Sequence, residues 1–236
     1  MEFVPIKSKS LVEEVAGQLA KFVLALQPGE PDHLPAERKL AEKFGVARGV
    51  VREAIKRLEI QGFLEVRQGS GIRAVKQLHK SLNASLEFLL PDTKERLLQA
   101  TQTRIIIEPA VAAAAANSAT PDDIIRLKEI HSELEGAEDV DSSTAADIAF
   151  HQALAAIARN EVLKLVLDSM SDLRRESAMR THGKVGKEVA LAHHQSILEA
   201  IEAKDSEGAK AAMHKHLVAA MEDLGMKTNG YGKVTP

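Results

Sequence analysis

The chain has 236 residues, of which 44% are hydrophobic and 28% charged, and it contains no cysteine and no tryptophan. These counts exclude disulfides, thiolate nucleophiles and cysteine-ligated metal sites, and they argue against a base-stacking surface for single-stranded nucleic acid. The apolar runs are too short to cross a bilayer and residues 1–9 lack the apolar core of a secretory signal, so we expect a cytoplasmic protein with no membrane partner.

The length favours a small domain joined to a larger one. The formal net charge of −3 is unevenly distributed along the chain: residues 1–76 carry 13 Lys and Arg against 10 Asp and Glu, and residues 77–236 carry 18 against 24. This asymmetry favours a basic head that binds nucleic acid and an acidic body.

Residues 1–76 are predicted to form a winged helix-turn-helix with three helices and a β-hairpin wing. Apolar residues recur at steps of three and four between Ser10 and Leu26, which predicts the first helix. The second helix begins near Pro35 and ends before Gly45, and the third follows from Arg48. Two β-prone segments around a glycine-rich turn at residues 68–71 complete the wing.

The third helix presents Arg48 and Arg52 one turn apart, on the face opposite its apolar residues. In a helix-turn-helix, this helix lies in the major groove, where an arginine can bind guanine or hold a phosphate. Arg38 can reach the same surface, and Gln68 and Gly69 stand at the tip of the wing, in reach of the minor groove. The alternative is that two arginines at this spacing are simply solvated.

Residues 77–92 are predicted to form a linker helix, residues 93–226 an all-α bundle of six to seven helices, and residues 227–236 a disordered tail. Thr120, Ser143 and Asn160 are candidate helix caps. The main helices of the bundle are predicted over residues 93–118, 121–135, 143–158, 161–181, 187–203 and 205–225.

Four side chains of the bundle are candidate metal ligands. Asp147 and His151 are four residues apart on one helix face, and His194 and His216 each lie on the apolar stripe of a further helix. Three imidazoles and a carboxylate suit Zn²⁺, Ni²⁺ or Mn²⁺. The alternative is that these histidines are hydrogen-bonded core residues.

Arg104 lies four residues before Glu108 on a helix otherwise rich in isoleucine and alanine, so its charge needs a partner. One interpretation is an ion pair with Glu108 within the helix. The other is that Arg104 clamps the carboxylate of an organic-acid effector whose other end contacts the metal. Three further arginines are weaker candidates for the same role, and most of them are expected to be solvated: Arg174, Arg175 and Arg180.

The segments Leu34-Pro-Ala-Glu-Arg and Val46-Ala-Arg-Gly-Val-Val-Arg-Glu-Ala belong to a gap-free run over residues 34–71 that resembles the winged helix of the GntR family of bacterial regulators. The resemblance implies that Arg38, Arg48 and Arg52 contact operator DNA.

Two positions depart from the family pattern. The family usually has Ser or Thr before the third helix and again after its first arginine, where this chain has Ala47 and Gly49. The missing cap hydroxyl is expected to cost about 1 kcal/mol of helix stability.

The bundle is similar to the FCD effector domain of the FadR-like subfamily of GntR regulators. The similarity rests on Arg104-Ile-Ile-Ile-Glu, Asp147-Ile-Ala-Phe-His, His194-Gln-Ser-Ile-Leu and Met213-His-Lys-His. It implies that Asp147 and the three histidines ligate a divalent metal, with zinc the first candidate.

These features predict a transcriptional regulator, not an enzyme. We expect a homodimer, most simply a repressor, that binds a palindromic operator and responds to a small organic acid bound beside the metal. Two alternatives remain at this point: the metal itself is the signal, or the site is a metallohydrolase with Glu108 as its base.

Overall fold

The structure is a computed structural model, and it describes residues 10–27, 29–67, 71–90 and 92–226. The described chain is mostly helical with one small sheet, as the sequence predicts. It divides into two units between Ala84 and Ser85, within the segment predicted as a linker helix. The predicted wing tip and tail, at residues 68–70 and 227–236, lie outside the described residues.

The N-terminal unit has the order of a winged helix-turn-helix. Its apolar core is formed mainly by α1 and α3, each of which buries one face: Val15, Leu19 and Val23 on the first, Val51 and Leu58 on the second. The elements are α1 (Leu11–Ala25), β1 (His33–Leu34), α2 (Glu37–Phe44), α3 (Arg48–Ile60), β2 (Leu64–Arg67) and β3 (Gly71–Ala74).

Two glycines hold the turns of this unit. Gly45 ends α2 in the left-handed conformation, with φ of 64°, which lets α3 begin three residues later. Gly62 follows α3 with φ of 78°, and a Cβ atom there would overlap the carbonyl oxygen of Gln77. The backbone conformation therefore favours glycine at position 45, and the steric overlap adds to it at position 62.

The wing contains one strand more than predicted. Strands β2 and β3 pair antiparallel with Val66 opposite Ile72, which is the predicted hairpin. The two-residue β1 adds to the other edge of β3, with Leu34 also opposite Ile72, so the strand order is β1-β3-β2. A two-residue strand is too short to show the alternating pattern that identifies strands in a sequence.

The second unit is a helical bundle whose core is built around α5. Buried small residues on α5, including Ala112, Ala115 and Ala116, let α11 pack closely along it. The chain crosses between the units in α4 (His79–Leu89). The remaining helices are α5 (Thr93–Ser118), α6 (Pro121–Gly136), α7 (Val140–Ile157), α8 (Glu161–Asp168), α9 (Ser171–Val185), α10 (Glu188–Glu202) and α11 (Ser206–Asp223).

Two predicted helix boundaries are wrong. Helix α7 begins at Val140 instead of residue 143, because Asp139 caps it in a reciprocal pair with Ser142, and Ser143 is buried inside the helix. The helix predicted over residues 161–181 is divided into α8 and α9. At the break, the Ser169 hydroxyl donates to the carbonyl oxygen of Val166 at 2.6 Å, a local bond that competes with helix continuation.

The other predicted caps are confirmed. Thr120 and Asp123 form a capping box at the start of α6, and the Asn160 side chain accepts hydrogen bonds from the first backbone amides of α8.

Lysines from neighbouring segments cap helix C-termini in this unit. Helices α5, α6 and α11 have no basic residue in their last turn. Their terminal carbonyl groups instead accept from Lys204, Lys187 and Lys184, respectively. Each ammonium group thus offsets the negative end of a helix dipole and joins two elements. No helix of the described chain is both long and apolar enough to cross a membrane.

Candidate DNA-binding surface and metal centre

Arg48 and Arg52 lie on the exposed face of α3, away from the buried residues of that helix. Arg48 is the first residue of α3, so both arginines belong to the half of the helix that enters the major groove in this class of fold. No side chain caps α3, because Ala47 occupies the cap position, as the sequence indicates.

An acidic residue that the sequence analysis missed connects the two arginines. Glu37, in the first turn of α2, accepts from the Arg48 Nε at 2.8 Å and from the Arg52 Nη2 at 3.3 Å. The Arg52 and Arg48 hydrogen bonds outweigh the effect of burial and lower the pKa of Glu37. Glu37 therefore stays ionised and holds both guanidinium groups on one surface.

Of the other three predicted DNA contacts, only Arg38 lies among the described residues. Arg38 is exposed and forms a long ion pair with Glu42, 3.7 Å apart on the same helix. Gln68 and Gly69 lie outside the described residues. The wing strands add two exposed arginines that the prediction omitted, Arg67 and Arg73.

The four predicted metal ligands meet in the core of the bundle. Asp147 and His151 come from α7, His194 from α10 and His216 from α11, and all four are buried. One ligand atom from each lies within 4.8 Å of the others. The apolar stripes of three helices bring these side chains together, because each occupies a core-facing position.

The surroundings of this cluster fit a divalent cation. Both ring nitrogens of His194 are buried and have no hydrogen-bond partner among the described residues, and its Nε2 lies 3.4 Å from the Asp147 carboxylate. The Nε2 atoms of His151 and His216 face each other at 3.2 Å. Burial lowers the pKa of His194 and of His216 well below the usual value, which keeps both imidazoles neutral as a metal requires.

Glu108 lies behind the cluster and supports it. Its Oε2 is 2.5 Å from the Nδ1 of His151, and its Oε1 accepts from Arg104 at 2.6 Å and from Arg174 at 2.9 Å. Burial alone would raise the pKa of Glu108, but Arg104, Arg174 and His151 hold it well below the usual range. The predicted Arg104–Glu108 ion pair is thus present.

Arg174, one of the three weaker candidates, is not among the solvated arginines. It is almost fully buried, and burial lowers the pKa of its guanidinium against the attraction of Glu108. A signal existed in the sequence: Arg174, Ser177, Ala178 and Thr181 follow the helical spacing of a buried face.

A cavity that is partly open to solvent lies beside the cluster. Two of the four candidate ligands, Asp147 and His216, line it together with Arg104. Further polar side chains line the same cavity, namely Ser177, Thr181, His182, His193 and Asp223. A small anionic molecule in this space would therefore meet a guanidinium and the ligand cluster at once.

A winged helix-turn-helix with arginines on its third helix, followed by a helical bundle with a cavity beside a buried cluster of histidines and aspartate, is the architecture of a DNA-binding transcriptional regulator. Comparison with known families gives the same assignment. Residues 11–73 match the gntR family of bacterial regulatory proteins and residues 99–219 match the FCD domain, so the chain belongs to the GntR family with an FCD domain.

Curated relatives agree with this assignment. The chain is 37% identical to the Uxu operon regulator of Haemophilus influenzae, over 79% of this chain and 71% of the relative. It is 33% identical to the HTH-type transcriptional regulator LutR of Bacillus subtilis, over 81% and 90%. A GntR structure from Streptococcus agalactiae matches 89% of this chain and 99% of its own, with a TM-score of 0.71 and 26% identity.

The predicted class, a transcriptional regulator, is therefore confirmed, because the matched family is one of bacterial regulatory proteins and these relatives are named as regulators. The contacts of Glu108 also argue against the metallohydrolase alternative, which required Glu108 as its general base. Glu108 is ionised but surrounded by two arginines and His151, so it is not placed to act as a base in the cavity.

Proposed function

We propose that the protein is a homodimeric repressor whose DNA binding is controlled by a small carboxylate bound next to a divalent metal. The observation that carries this proposal is the shared cavity: Asp147 and His216 of the ligand cluster line it together with Arg104.

The proposed DNA contacts come from the N-terminal unit. Arg48 and Arg52 would bind base edges or phosphates in the major groove, Arg38 would hold the backbone, and Gln68 and Gly69 would meet the minor groove. Two copies of the chain would place two such surfaces on a palindrome with half-sites about one helical turn apart.

The proposed metal site consists of Asp147, His151, His194 and His216. Four protein ligands of this kind suit Zn²⁺ first, then Ni²⁺ or Mn²⁺, and an ion that takes more than four ligands would have positions left for an oxygen ligand. A bound cation would supply positive charge for one end of the effector carboxylate. Arg104 would donate to the same carboxylate or to a second acidic group.

The test combines three measurements on the full chain. DNA fragments from the neighbourhood of its own gene are assayed for binding by fluorescence anisotropy. A panel of carboxylates is then screened for an increase in the melting temperature, because a ligand of the native state must stabilise it. We expect at least one acid to raise the melting temperature and to weaken operator binding, and transcription from the operator to rise with it.

Two controls separate the parts of the proposal. Arg104→Met should abolish the response to the acid and retain operator binding. Chelation without any acid separates a structural metal from a sensory one: a large loss of melting temperature indicates structure, and a change of DNA affinity alone indicates that the metal is the signal. Failure to bind any fragment at low salt would contradict the proposal as a whole.

A further inference from the structure

Glu108 of α5 joins the candidate metal centre to the ligand cavity. Its two carboxylate oxygens have different partners. Oε2 faces the Nδ1 of His151, on α7, while Oε1 accepts from Arg104 of its own helix and from Arg174 of α9. One carboxylate thus contacts a candidate metal ligand and a candidate effector clamp simultaneously.

The first contact determines where the proton of His151 lies. A carboxylate that is ion-paired with two arginines is ionised and has only acceptor atoms. The Nδ1 of His151 must therefore carry the hydrogen, which leaves the lone pair on Nε2. This Nε2 faces the His216 Nε2 inside the cluster, so the tautomer set by Glu108 is the one that ligates a metal.

The second contact determines the direction of Arg104. Glu108 accepts from its Nε at 2.6 Å. Among the described residues, the terminal nitrogens of Arg104 have no hydrogen-bond partner, and the residue lines the cavity. The fixed Nε therefore leaves the outer edge of the guanidinium for a ligand carboxylate.

We infer that Glu108 is a positioning residue that prepares both halves of the site, the tautomer of the metal ligand His151 and the orientation of the effector clamp Arg104. This inference rests on the proposed function, because a metal and an effector give the two contacts their roles. The contacts of Glu108 themselves do not depend on which effector binds.

Glu108→Gln gives a sharp test, because an amide has one acceptor oxygen and one donor nitrogen. The amide oxygen would stay with the two arginines, and the NH₂ group would face the Nδ1 of His151. That nitrogen would then have to accept, which moves the ring hydrogen to Nε2 and blocks the ligand atom.

Two readouts follow. In metal-free protein with ¹⁵N-labelled histidine, we expect His151 to be protonated at Nδ1 in the wild type and at Nε2 in Glu108→Gln. In competition with a chromophoric chelator, we expect Zn²⁺ to bind the variant about 10- to 100-fold more weakly. A role for Glu108 in stability alone would lower the melting temperature and leave the tautomer unchanged.

Glu202→Gln is the matched control, since Glu202 pairs with Lys128 at the surface. It should leave both readouts at their wild-type values. If Glu108→Gln folds poorly, the double variant with Arg174→Met restores the balance of charge, and the same tautomer change is expected.

The inference is overturned if His151 keeps its hydrogen on Nδ1 in these variants and Zn²⁺ affinity stays within about twofold of wild type. A wild type that takes up no Zn²⁺ would instead contradict the proposed metal site. In that case the tautomer measurement would still decide the role of Glu108.

Discussion

The two units place their ion pairs in opposite surroundings. In the N-terminal unit, Arg48 pairs with Glu37 at the surface, with 62% and 25% of the two side chains exposed. In the C-terminal unit, only 5% and 3% of Arg104 and Glu108 are exposed. A surface pair contributes at most about 1 kcal/mol to stability, whereas removing one partner of a buried pair costs about 3–5 kcal/mol.

This difference matches the function proposed for each unit. Arginines that bind DNA would have to reach bases or phosphates, and a weak, solvent-exposed pair with Glu37 leaves their guanidinium groups accessible. The proposed ligand site would have to keep its geometry before a ligand arrives, and the buried pairs of Glu108 hold Arg104 and Arg174 in place. The variants below test that comparison, from the largest expected effect to the smallest.

The largest effect is expected from Glu108→Ala. The variant leaves Arg104 and Arg174 buried without their common carboxylate, so the free energy of unfolding should fall by about 3–5 kcal/mol. Urea unfolding of the metal-free protein measures it. Glu176→Ala is the control, because Glu176 forms an i,i+4 pair of the opposite order with Arg180 at the surface and should cost less than about 1 kcal/mol. Equal losses of unfolding free energy in the two variants would contradict the distinction between buried and surface ion pairs.

The next effect is stabilisation by metal. At a free Zn²⁺ concentration 100 times the Kd, the wild type should gain about 2.7 kcal/mol of stability. Asp147→Ala should lose most of this gain because it removes one ligand of the cluster. His193→Ala should retain it, since His193 lines the cavity but is not among the four clustered ligands. Thermal melting with and without Zn²⁺ checks both, and an unchanged gain in Asp147→Ala would exclude the cluster as the site.

A smaller effect is expected at the DNA surface from Glu37→Gln. The change removes the negative charge that both arginines share and leaves only a neutral amide oxygen as their common acceptor, so Arg48 and Arg52 are held more weakly. Non-specific affinity should rise, operator affinity should fall, and the ratio between them should drop about tenfold, within the range of one good base contact.

Fluorescence anisotropy with operator and scrambled duplexes at one salt concentration measures that ratio. Glu53→Gln makes the same charge change on α3, where Glu53 pairs with Lys56, and should raise both affinities without altering their ratio. If the two variants behave alike, Glu37 acts through its charge alone and does not orient the arginines.

Helix periodicity explains which residues of the two sites could be predicted from the sequence. The four candidate ligands were found because each lies on the apolar stripe of its own helix, so the helix period alone places it in the core. Arg48 and Arg52 were found by the converse argument, since they lie opposite such a stripe. In both cases the pattern of apolar residues within a single helix is enough to predict whether the side chain is buried or exposed.

The contacts between elements could not be obtained in this way. Glu37 reaches arginines 11 and 15 residues further along the chain, and Glu108 reaches Arg174 across 66 residues. Helical periodicity predicts which side of a helix is buried but not which neighbour it meets. The division between α8 and α9 was missed for a related reason, because no proline or glycine marks the break at Ser169.

The smallest effect is expected at a helix end. Lys204 donates to the carbonyl oxygen of Ala119, just past the end of α5, whose last turn has no basic residue of its own. Lys204→Met keeps a side chain at this position of positive φ and removes only the donor and its charge. We expect a loss of about 0.3–1 kcal/mol in the free energy of unfolding, the usual contribution of a cation at a helix C-terminus. Lys210→Met, which breaks an exposed pair with Glu207, is the control and should cost less. A loss above about 3 kcal/mol would mean that this lysine, though at the surface, behaves like the buried arginines of the bundle.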